Sequence, residues 1–245
     1  MNRAIRASSI SLCAAFVLLA FSASGPASAG TDRGVGRAHT HRADWLKRAH
    51  ASFRGESTER LNNARLADVT ADAWRWYLSL PMGIANDTSG ANCGVNQQGD
   101  FWFLGGPIGQ TYDTTCTIPA GKTIVAFVAA YVANDCAGDF DTDPVPNARE
   151  FLGAFATEVA DSLVGPGAEL NRQPLRVRRV ATGVFPFTAA ASWSDIPDGC
   201  FTGSPQIAVA DGYWAVLPPL PRGDHTLTLT LADPATTGTF TLRIR

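Results

Sequence analysis

Near its C-terminus the chain writes Thr226-Leu227-Thr228-Leu229-Thr230-Leu231, and again Thr239-Phe240-Thr241-Leu242-Arg243-Ile244. Apolar and polar side chains alternate at every step, a period of two. In an extended strand that period places one oily face on a core and one hydroxyl face in water. A helix scatters the same residues around its axis, so this pattern demands a β-sheet with one solvated side. The rest of the composition supports a core under that sheet. Of 245 residues, 45% are hydrophobic and 17% charged. That is too much apolar surface for a disordered chain. The net charge of −2 leaves no basic field for phosphates, which argues against a nucleic-acid partner.

Other segments continue the strand signal. Thr123–Val132 (TIVAFVAAYV) is nearly all apolar, as suits a strand buried on both faces. Phe101-Trp102-Phe103-Leu104 ends at the turn Gly105-Gly106-Pro107, and the Thr-rich stretch Thr111–Ile118 ends at Pro119-Ala120-Gly121-Lys122. Leu175–Val180 and Val184–Thr188 read as strands. Tyr213–Leu217 is expected as a companion to the alternating pair, joined to it through Pro218-Pro219-Leu220-Pro221, which cannot continue a ladder. Two segments read as helices. Thr70 is placed to cap a run carrying Trp74, Tyr77 and Leu78 on one stripe, stopped by Pro81. Residues 147–163 carry Phe151, Leu152, Phe155, Val159 and Leu163 at helical spacing. About nine short strands between turn signals predict a mainly β fold. The expected architecture is an antiparallel, jelly-roll-like β-sandwich over 66–245, with an N-terminal helix and one inserted or edge helix.

The N-terminus reads as an address. Arg3 and Arg6 precede the apolar run 12–21, and Ala27-Ser28-Ala29 offers small side chains for cleavage before Gly30. Ten apolar residues rise only ~15 Å as a helix, about half the hydrocarbon thickness, so residues 1–29 are expected as a signal peptide. Nothing later in the chain approaches a membrane span, and the mature protein is expected to be secreted. Residues 30–65 form a basic lead-in with eight Lys or Arg against four acids, read as a flexible tether.

Four cysteines follow the signal: Cys93, Cys116, Cys136 and Cys200. An even number in an exported chain predicts two disulfides, and no CxxC pair suggests zinc. Cys93 precedes the strand at 101–104 and Cys116 lies late in the next strand, so a hairpin is expected to return one to the other. Cys136 and Cys200 then pair by elimination.

Several stretches carry a family likeness: Trp74-Arg75-Trp76-Tyr77, Asp87 with Gly90-Ala91-Asn92-Cys93, Gln98–Gly106, Cys116-Thr117-Ile118-Pro119-Ala120-Gly121-Lys122, Asp211-Gly212-Tyr213-Trp214 and Leu217–Thr226. Together, over about 70–230, they resemble a group of exported bacterial proteins of unknown function. Gly99-Asp100-Phe101 departs from the Gly-Pro-Val expected there. The resemblance implies export and this architecture, and it assigns no activity.

Catalytic signals are sparse. The body after residue 65 holds one histidine, His225, and its neighbour Asp224 points to the opposite face of a strand, so the two form no dyad. A polysaccharide hydrolase or lyase would need a carboxylate pair drawn from Asp100, Asp211, Asp224, Glu150, Glu158 and Glu169. Asp139, Asp141 and Asp143 supply oxygens for calcium, the one cofactor this sequence suggests, but Pro144 stands where a calcium loop needs glycine. The aromatics Trp102, Trp193, Tyr213 and Trp214 are candidates to stack on sugar rings. The expectation is a non-catalytic secreted module that binds a glycan or cell-envelope polymer; the alternative is the carboxylate-pair enzyme.

Overall fold

The computed structural model describes residues 63–91, 93–107, 109–135, 145–195, 201–232 and 235–245. The signal peptide, nearly all of the basic lead-in, Cys136, Cys200 and the acids Asp139, Asp141 and Asp143 lie outside these residues. In chain order the helices are α1 (Asn63–Ser79), α2 (Met82–Ala85) and α3 (Val145–Ser162). The strands are β1 (Phe101–Leu104), β2 (Tyr112–Ile118), β3 (Thr123–Asn134), β4 (Gly167–Leu170), β5 (Gln173–Pro174), β6 (Val177–Ala181), β7 (Phe185–Phe187), β8 (Gln206–Leu217), β9 (Gly223–Leu231) and β10 (Thr236–Ile244).

They assemble into two five-stranded sheets packed face to face, a mainly β, sandwich-like fold. The first sheet runs β1-β3-β8-β6, with β7 also beside β8, and the second runs β2-β10-β9-β4-β5. Each sheet is mixed rather than wholly antiparallel, because β1 lies parallel to β3 and β2 lies parallel to β10. The cause is a crossing of the chain. From β1 it leaves for the second sheet, makes β2, and returns as β3 beside β1 in the same direction. The expected hairpin between β1 and β2 therefore does not form. The Cys93–Cys116 disulfide does form, with Cα atoms 5.7 Å apart, and it ties the segment before β1 to a strand of the opposite sheet. The Pro-rich connection 218–222 likewise crosses between sheets, so β8 is not a neighbour of β9.

Side-chain alternation fills three apolar regions. Between the sheets lie Leu104, Ile118, Ile124, Leu217, Leu227, Leu229, Phe240, Leu242 and Ile244. On the other face of the first sheet, α1 lays down Trp74, Trp76 and Tyr77 against Val125, Phe127 and Trp214. Phe127 meets Trp214 at 4.2 Å between ring centroids and the edge of Trp74 at 4.9 Å. Burying side chains of this size contributes about 1.5–3 kcal/mol each, so α1 is part of the core. α3 packs Leu152 and Ala156 on Ala133 and Val209, at the far ends of β3 and β8. The first sheet is thus covered on both faces, which explains the unbroken apolar run of β3. A bulge between Phe127 and Ala129 lets β3 stay paired along β8 while its face parity changes. Just beyond it β3 and β8 approach so closely that a Cβ on Gly212 would sit 2.3 Å from the Cα of Ala130.

Thr70 is not a cap. The helix begins earlier, at Asn63, and the buried Thr70 hydroxyl donates to the Ala67 carbonyl at 3.0 Å inside it. The inserted helix at 145–162 falls where its periodicity places it.

Candidate functional site

Three of the four aromatics expected to face a ligand are core residues. Trp214 is 1% exposed beside Phe127 of the neighbouring strand in the cluster under α1, and Trp102 is 8% exposed among the residues between the sheets. Trp193, 1% exposed, donates its indole N–H to the Leu80 carbonyl at 2.8 Å and packs 5.5 Å from Tyr77. The alternation argument correctly sends one ring of Tyr213-Trp214 away from the sandwich interior. That side is roofed by α1, so the ring meets a helix instead of solvent. Tyr213 stays half-buried on the opposite face, and the Arg179 guanidinium lies 5.8 Å from its ring centre.

Beside Tyr213 is a charged cluster that links β6, β8 and α3. Asp211, with a side chain only 5% exposed, accepts from Arg179 at 2.9 Å and from the Thr157 hydroxyl at 3.3 Å. The same guanidinium is bonded to Asp161, which is 60% exposed, and donates to the Thr157 carbonyl at 3.3 Å. Hydrogen bonds to Asp211 and then Asp161 hold the Arg179 guanidinium above its ordinary value. Both acids of this pair are committed to one cation. Neither is set up as a general acid facing a general base, so the cluster clamps α3 onto the sheet. The other candidate acids are dispersed: Asp224 pairs with Arg245 at 2.8 Å, Glu150 and Glu158 are exposed along α3, and Glu169 sits on the second sheet. His225 is buried. Its Nε2 donates to the Pro221 carbonyl at 2.9 Å, and its Nδ1 lies 3.2 Å from the Asn171 amide, which pins the crossover to the start of β9.

A cleft lies beside α1 and the strand ends, lined by Asp87, Gly90, Cys93, Phe103, Thr114 and Phe240 among others. It has room for little more than a water molecule, far less than a sugar ring needs. Among the described residues no group of three or more His, Cys, Asp or Glu side chains is arranged to hold a metal ion.

Among the described residues an organised polar surface lies on the outer face of the second sheet. Pairing sets its rows: Thr237 beside Thr230; Asp113, Thr239, Thr228 and Glu169; Thr115, Thr241 and Thr226; Thr117, Arg243 and Asp224. Eight threonines share this face, all exposed or half-buried, with Asp113, Glu169, Asp224 and Arg243 along its margins. β-sheet geometry spaces the hydroxyls about 4.8 Å across strands and about 6.7 Å along them. The described helices pack on the first sheet, not on this one. The hydroxyl face of β9 and β10 is legible in the sequence. The contribution of Thr115 and Thr117 is not, because it depends on β2 lying parallel to β10 from the far end of the domain.

No family model, curated protein or solved structure matches this chain.

Proposed function

We propose that this chain is a non-catalytic exported module that binds a glycan or cell-envelope polymer through the threonine face of its second sheet. The single observation that carries the reading is the eight-threonine grid on an open sheet face. Each threonine offers a donor-acceptor hydroxyl beside a methyl group, the same mixture that a sugar ring displays at its rim. One such hydrogen bond, exchanged for water, contributes only about 1 kcal/mol net, so the face works by many simultaneous contacts. An extended polymer supplies these; a single sugar does not. The disulfide supports export, since such bonds persist in oxidising compartments. The engagement of Asp161 and Asp211 with Arg179 favours binding over carboxylate-pair hydrolysis.

The test uses the full chain in co-sedimentation with insoluble cellulose, chitin and peptidoglycan, alongside a soluble glycan array. The variant Thr228→Val/Thr239→Val/Thr241→Val keeps shape and β-propensity while deleting three hydroxyls. Wild type is expected to be retained on at least one polymer. The triple variant should bind about 100-fold more weakly, which is three hydrogen bonds at about 1 kcal/mol each. Equal retention of the triple variant, binding to none of the polymers, or release of soluble sugar from the bound polymer would each defeat the proposal.

A further inference from the structure

The charges on the threonine face follow its rows. One row crosses four strands in the order Asp113 on β2, Thr239 on β10, Thr228 on β9 and Glu169 on β4. Both acids are exposed, and neither is paired with a cation among the described residues. Three strand spacings separate them, about 14 Å. The rows on either side hold threonine: Thr115, Thr241 and Thr226 on one, Thr237 and Thr230 on the other. Nearer the end of the sheet the charges are already answered. Arg243 stands opposite Asp224, and Asp224 accepts from Arg245 at 2.8 Å. The free negative charge of this face is therefore concentrated at the two ends of one row.

Each of those carboxylates has a threonine hydroxyl as its direct cross-strand neighbour, Asp113 beside Thr239 and Glu169 beside Thr228. Neighbouring strands lie about 4.8 Å apart, so one small group can touch both side chains of such a pair. A carboxylate next to a hydroxyl presents two kinds of acceptor and one negative charge. An ammonium group brings three N–H donors and a positive charge, and it satisfies both acceptors at once. An acetamide brings one N–H and no charge, and a sulfate or phosphate is repelled. The charge of the whole domain acts in the same direction. Residues 66–245 carry ten Lys or Arg against eighteen Asp or Glu, so a polycation is drawn to this body and a polyanion is driven off.

We propose that the polymer taken by this face is an amino-sugar chain with free ammonium groups, laid across the strands along the Asp113–Glu169 row. The inference rests on the binding role assigned above to the threonine face and specifies its ligand. Asp113 and Glu169 hold ammonium groups on separated sugars. Thr239 and Thr228 bond the rings that lie between, and the flanking threonines meet the rest of the chain.

The experiment is co-sedimentation of the full chain with chitin and with the same material after de-N-acetylation, at low and at high salt. Wild type is expected to bind the de-N-acetylated polymer about tenfold more tightly at low salt, the size expected of two exposed ion pairs. High salt should erase that preference by screening exposed charges. Asp113→Asn/Glu169→Gln removes both charges at constant shape and should bind the two polymers alike. Glu150→Gln/Glu158→Gln removes the same charge from the exposed side of α3 and should keep the wild-type preference. Equal wild-type binding to the two polymers, a preference that survives Asp113→Asn/Glu169→Gln, or an equal loss in the α3 variant would overturn the proposal while leaving the threonine face a binding surface. Binding to neither polymer, or wild-type binding by Thr228→Val/Thr239→Val/Thr241→Val, would defeat the role of that face and this inference with it.

Discussion

Arg179 bonds two carboxylates whose surroundings differ sharply, and burial should decide what each bond is worth. Asp211 keeps 5% of its side-chain surface exposed, Asp161 keeps 60%, and the shared arginine keeps 35%. Arg179→Met preserves the side-chain stem over Tyr213 but removes the cation, which leaves the Asp211 carboxylate buried with only the Thr157 hydroxyl at 3.3 Å. Breaking a buried pair and stranding a charge costs about 3–5 kcal/mol. The partial exposure of the guanidinium places the expected loss near the lower bound, about 3 kcal/mol. Asp211→Ala should cost less, about 1–2 kcal/mol, since the arginine it strands can turn to water and still holds Asp161. Asp161→Ala removes an exposed pair and should cost about 0.5 kcal/mol. For a domain of this size about 3 kcal/mol lowers the melting temperature by about 6–12 °C. Urea melts of the three variants, with calorimetry, give the ordering directly. If Asp161→Ala proves as costly as Arg179→Met, or if Arg179→Met falls within about 0.5 kcal/mol of wild type, burial is not what sets the strength of this clamp.

Two further perturbations test the packing and the buried hydroxyls. Gly212→Ala drives a Cβ to 2.3 Å from the Ala130 backbone, whereas Gly183→Ala meets nothing within 4 Å; chemical denaturation should show a loss of about 3 kcal/mol for the first and a change under about 0.5 kcal/mol for the second. Burial raises the Tyr77 and Tyr112 phenols well above their ordinary value, and their mutual repulsion raises Tyr77 further. Their contribution is therefore full below the unfolded value of about 10 and is lost as pH rises beyond it, because the unfolded chain then holds fewer protons. Relative to the Tyr77→Phe/Tyr112→Phe variant, wild-type stability should fall by up to about 2.7 kcal/mol per pH unit above pH ~10, at about 1.4 kcal/mol for each retained proton. Parallel alkaline titrations of the two proteins would refute the assignment.

Much of this fold is written in local pattern. The Leu–Thr alternation specified β9 and β10 and the side each turns to water, since a period of two has one extended solution. The apolar run of β3 announced a strand covered on both sides, and the spacing of Phe151, Leu152, Phe155 and Val159 announced α3. The Cys93–Cys116 pairing was readable, although the hairpin expected to produce it was not the cause. Patterns of this kind say which residues share a face, and they stop there.

What covers a face, and which distant strand borders it, is settled by packing between segments far apart in the chain. The folded arrangement alone decided that Trp102, Trp193 and Trp214 are core rings, because α1 and the second sheet close over the faces they point to. It alone brought β2 alongside β10 to extend the threonine grid, and set Gln97 against the edge of β1. The alternation of a strand is short-range information carried by each residue's own geometry; the partner across a sheet or above it is chosen by the burial of surface from the whole domain at once.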